Sequence, residues 1–69
     1  PTHWERGDTI YVSSKAFGNK WAAAYPDKWY RGVLLGIHAE TVMRTWHVLY
    51  DDGDKVPTDE NFFLAELPE

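Results

Sequence analysis

At 69 residues the chain reads as one small domain, which buries only roughly 60% of its unfolded surface and must find its stability in packing. With no cysteine it has no disulfide staple, thiolate zinc site or thiol nucleophile, which fits a reducing compartment; no apolar run approaches the roughly 20 residues of a membrane span. The formal charge of −4 is lopsided: residues 1–50 carry six Lys/Arg against four Asp/Glu, and residues 51–69 carry seven acids against one base. That balance is a poor footing for neutralising nucleic-acid phosphates and a good one for a basic peptide or an organic cation.

Taken in order, residues 1–6 read as a frayed lead-in, with Trp4 large enough to dock back onto the domain. Gly7-Asp8 makes a turn into a first strand, Thr9 to Ser13, with Ile10 and Val12 on one face and Tyr11 on the other. Residues 14–28 form a long loop broken by Gly18, Asn19, Pro26 and Asp27; its middle, Lys20 to Tyr25, has the alanines for one helical turn. A loop of this length in so short a domain is functional or mobile. The second strand, Trp29 to His38, is apolar at Val33, Leu34, Leu35 and Ile37, so it is either buried on both faces or bent at Gly32 and Gly36.

After a turn over Ala39 to Met43, Thr45 to Tyr50 alternates cleanly, with Trp46, Val48 and Tyr50 on one face and His47 and Leu49 on the other. Asp52-Gly53 predicts a two-residue type I′ hairpin. A short fourth strand, Lys55-Val56, ends at Pro57. Thr58 then caps one helical turn over Asp59 to Asn61, and Phe62, Leu64 and Leu67 return to the core as a short fifth strand. Five short strands and little helix predict an all-β fold, a small five-stranded antiparallel barrel with one helical turn before the last strand.

Eleven aromatics, each able to bury about 150–250 Å², exceed what so small a core takes in, so some belong to a surface group of the kind that binds partners. Tyr50 meets the Asp51-Asp52-Gly53-Asp54 turn, and an aromatic face beside a carboxylate is the chemistry that holds an organic cation. Catalysis has no support: there is no nucleophile elbow, metal motif or phosphate-cradling glycine loop, and no cofactor is implied. His3, His38 and His47 are scattered on different elements without cysteine partners, so no metal site is expected.

The segments Gly7-Asp8-x-Ile10-x-Val12, Trp29-Tyr30-x-Gly32 and Val48-Leu49-Tyr50-Asp51-Asp52-Gly53-Asp54 together resemble a Tudor domain, an SH3-like barrel of the Tudor/chromo-barrel/PWWP group, over roughly residues 6–67. The resemblance implies a non-enzymatic, nuclear reader module, a monomeric domain within a larger protein. Its ligand would be methylated lysine or methylated arginine in a peptide, above all a histone tail, held in an aromatic cage. By position Tyr30 and Tyr50 match cage aromatics and Asp52 the cage acid. The cage tryptophan after strand one falls near Ser14, and the aromatic after the turn glycine is Asp54, here counted with the acidic rim. Phe17 and Trp21 of the long loop are the candidate replacement walls.

Each of these residues also has a plainer reading. Tyr30 and Tyr50 can pack the end of the barrel, Phe17 and Trp21 can anchor the loop, and aspartates favour turns for their own reasons. Trp29 and Trp46 read as packing residues. On the cage reading, Tyr50→Ala and Tyr30→Ala are each expected to abolish methyl preference and leave the fold intact. Two other functions stay open: a protein-interaction module without a working cage, and nucleic-acid binding through Lys15, Lys20, Lys28, Arg31 and Arg44.

Overall fold

The computed structural model describes residues 3–68. Four antiparallel strands, β1 (Thr9–Ser13), β2 (Trp29–Glu40), β3 (Arg44–Tyr50) and β4 (Lys55–Asp59), make one sheet in sequence order. Between β1 and β2 the chain winds a 3-10 turn, Ser14–Phe17, and one short helix, α1 (Asn19–Ala24). The alternation in β1 and β3 is what builds the core: Ile10, Val12, Trp46, Val48 and Tyr50 are buried with Leu34 and Phe63. Trp4 docks onto it, edge-on to Phe63 with ring centroids 5.7 Å apart; Pro1 and Thr2 of the lead-in lie outside the described residues. Among the described residues no helix is long and apolar enough to cross a membrane.

β2 takes the bent option. Its pairing with β3 slips between Leu34 and Gly36 and again between Ile37 and Ala39, and Val33, Leu35 and Ile37 face outward, more than a third exposed. Gly32 sits opposite Tyr50, where an added Cβ would stand 2.5 Å from Val48 Cγ1 and 3.1 Å from Tyr50 Cδ1. Only a residue without a side chain lets β3 lay those groups across β2.

The second half of the chain departs from expectation in several places. The acidic hairpin is a three-residue loop: Gly53 N–H donates to the Tyr50 carbonyl (2.9 Å) and Tyr50 N–H to the Asp54 carbonyl (2.9 Å). Only Gly53 in it has positive φ, at 91°, which is the type I turn plus glycine bulge. β4 does not end at Pro57. Pro57 sits opposite His47, between hydrogen-bonded pairs, so its missing N–H would have faced away from β3 on an edge strand, where proline is tolerated.

Nor does Thr58 cap the following turn. Asp59 does, its carboxylate accepting from Asn61 N–H at 2.9 Å, while Thr58 is buried against Tyr50. The turn, Glu60–Phe62, shifts the side-chain parity by one, so Phe63 enters the core, and Phe62, Leu64 and Leu67 are exposed. The expected fifth strand is a single antiparallel bridge, with Leu64 and Tyr11 exchanging N–H···O bonds of 2.8 and 2.9 Å. In that register Ser13 would need Phe62, which is wound into the 3-10 turn, so the pairing cannot extend in that direction.

Candidate functional site

Phe17, Trp21, Tyr30, Tyr50, Asp52, Asp54 and Val56 line one open cavity of about 200 Å³. Six of the seven are the residues singled out from the sequence, and they arrive from four separate places. Phe17 closes the 3-10 turn after β1, Trp21 lies on α1, Tyr30 starts β2, and Tyr50 ends β3 at the acidic hairpin. Val56, on β4, was missed; the available signal was its place just past the acidic turn, where a strand must return along the cavity.

Three of the rings are mutually near-perpendicular. Phe17 and Tyr30 stand at 84° with centroids 5.3 Å apart, Phe17 and Tyr50 at 72° and 5.5 Å, and Tyr30 and Tyr50 at 81° and 6.5 Å. The contacts are edge to face, so the three rings pack on one another as well as lining the cavity. A cation seated among rings so spaced falls within the ~6 Å reach of a cation–π contact. Trp21 adds a fourth aromatic, 6.4 Å from Phe17, and its indole N–H donates to the Tyr30 hydroxyl at 2.8 Å. Tyr25, not among the sequence candidates, extends the aromatic row by packing on Trp21 at 4.8 Å.

The walls differ in how firmly they are held. Tyr50 is only 4% exposed, and its hydroxyl bonds Thr58 Oγ1 at 2.7 Å, which in turn donates to the Val56 carbonyl at 3.2 Å. Burial pushes the Tyr50 phenol above its ordinary value; the Thr58 bond pulls the other way and the nearby Asp52 carboxylate adds to the rise. Tyr50 is thus a neutral, fixed wall. Asp52 is pinned too, its Oδ1 accepting from Asp54 N–H at 3.0 Å. Asp51 turns away to pair with Arg31 at 3.0 Å.

The remaining sequence candidates fall elsewhere. Ser14 is buried and lies outside the cavity lining. Trp29 faces a different hollow, with Ser13, Lys15 and Pro26, and Trp46 is in the core. Of the five cations considered for nucleic acid, Arg31 pairs with Asp51, Arg44 with Glu60 at 3.1 Å, and the Lys28 ammonium lies 5.0 Å from the Tyr30 ring. The histidines are less scattered than the sequence suggested: His38 Nδ1 and His47 Nε2 are 3.2 Å apart. Among the described residues no group of three or more His, Cys, Asp or Glu gathers as a metal cluster. No protein-family model, curated protein or solved structure matches this chain.

Proposed function

We propose that the chain is a Tudor-like SH3 barrel acting as a non-catalytic reader of methylated lysine, or methylated arginine, in a basic peptide such as a histone tail. One observation carries the reading: three near-perpendicular rings and two carboxylates around a single cavity. A methylated ammonium is bulky, diffuse in charge and cheaper to strip of water than a bare ammonium, so flat electron-rich faces suit it. Each ring contributes about 0.5–2 kcal/mol, and ordering the peptide offsets part of that, which puts Kd near the micromolar range. The barrel reading is supported by the Tyr11–Leu64 bridge, because the chain leaves β4 at one edge of the sheet and meets β1 at the other. On this reading the domain works as a monomer within a larger nuclear protein.

A second reading, a docking module without a working cage, is favoured by Ser14, which stands where the family carries a cage tryptophan and is buried outside the cavity lining. A peptide array of unmodified and methylated histone sequences, probed with wild type and Tyr30→Ala, separates the two. The expected result is methyl-dependent capture that disappears in Tyr30→Ala. Capture indifferent to methylation selects the second reading.

A further inference from the structure

The outer face of the sheet carries a second constellation, away from the aromatic cavity. His47 points outward from β3, directly opposite Gly36 on β2. A Cβ built at Gly36 would meet nothing within 4 Å, so no side chain stands between the His47 ring and its diagonal neighbour two residues along β2, His38. The two rings meet edge to face, centroids 4.6 Å apart at 85°, with His38 Nδ1 and His47 Nε2 at 3.2 Å. Both side chains are exposed. The slipped β2–β3 register is what brings them together, and it is invisible in the sequence.

We propose that His38 and His47 form a two-imidazole chelate for a divalent transition metal of the nickel–copper–zinc class. Ligand nitrogens at about 2.0–2.1 Å from a tetrahedral zinc are separated by roughly 3.3 Å, so the pair already stands at the bite a metal requires. As it is, one ring donates its N–H to the other's lone pair. Metal entry needs the donor ring to move this proton to its second nitrogen, a tautomer shift, and both rings to turn so that the lone pairs now facing each other converge on one ion. Because the two histidines belong to no cluster of three or more such ligands among the described residues, water completes the coordination. Affinity then follows the order Ni²⁺ below Cu²⁺ with Zn²⁺ weaker than Cu²⁺, and stays below that of a four-ligand structural site.

Calorimetric titration of NiCl₂, CuSO₄ and ZnCl₂ into the full chain tests this, with His3→Gln in every sample so that the third histidine cannot contribute. One equivalent of metal is expected, tightest for Cu²⁺, with binding lost in His38→Gln and equally in His47→Gln. The Cu²⁺ electron paramagnetic resonance spectrum should show two equatorial imidazole nitrogens, falling to one or none in either variant. Metal uptake that survives both single substitutions, or no uptake by the unsubstituted pair, overturns the proposal. The aromatic cavity plays no part in this titration, so its result leaves the reader function untouched.

Discussion

The cavity has two unlike sides. The hairpin side, Tyr50 with Asp52 and Asp54, is built into the sheet: Tyr50 is buried, its hydroxyl is spent on Thr58, and the turn is closed by its own backbone bonds. The loop side is divided: Phe17, on the 3-10 turn, packs against the core, while Trp21 rides on a six-residue helix that packs mainly against that turn. Trp21 is 44% exposed, and the indole N–H to Tyr30 hydroxyl bond is its hydrogen-bonded tie to the sheet. On the proposed reader function, the firmly held walls would fix the charge and shape of the socket while Trp21, on its fourth side, adjusts to the ligand. Fold stability and ligand affinity should accordingly separate between the two sides.

The sharpest break comes from paired truncations. Tyr50→Ala removes a buried ring from the core and should cost about 3–5 kcal/mol, a large share of what a small domain has. This revises the sequence-based expectation that the fold survives that change. Trp21→Ala should leave the denaturation midpoint nearly unmoved while weakening methyl-peptide binding, so urea melts of both variants beside a binding titration expose the asymmetry. Equal destabilisation by the two would erase the distinction between the sides.

Gly32→Ala has the next largest effect. Its Cβ would collide with Val48 and crowd Tyr50, and overpacking of this kind costs about 1–3 kcal/mol. Thermal melts should show the loss, and methyl-peptide affinity should fall with it because the Tyr50 wall is displaced.

The smallest effect is a pH dependence. Tyr50's phenol lies above its ordinary value in the folded chain, so it is neutral in both folded and unfolded states, and its contribution intact, below about pH 10. As pH rises further, the unfolded chain releases that proton first, and stability falls until the folded phenol ionises too. Urea melts from pH 8 to 11 should show a steeper alkaline decline for wild type than for Tyr50→Phe. Identical slopes would mean that Tyr50 is not buried as described.

The sequence revealed those parts whose physics is local. Alternation in β1 and β3 is a period-two pattern, and it grouped Ile10 with Val12 and Trp46 with Val48 and Tyr50 on faces that the structure shows to be the buried ones. Of the cavity residues, Tyr50 was legible as the end of an alternating strand beside an acidic turn, Tyr30 and Asp52 entered by position through the resemblance to a Tudor domain, and Phe17 and Trp21 occupy a loop too long to be a mere connector. What escaped depended on register. The shift of core position from Phe62 to Phe63 follows from the 3-10 turn capped by Asp59, and the meeting of His38 with His47 follows from slips in β2. Neither leaves a trace in hydrophobic periodicity, because each moves a side chain by one position after the pattern has been set.

The most direct measurement of the central claim is proton NMR of the ligand itself. A dimethyl-lysine peptide would be titrated with the protein while its N-methyl resonance is followed. Methyl groups enclosed by ring faces are expected to move upfield by ring-current shielding, to a smaller extent with Tyr30→Ala, with the Trp21 indole N–H shifting in parallel. An N-methyl signal that stays at its free position while the peptide binds would show that the rings do not surround the head group.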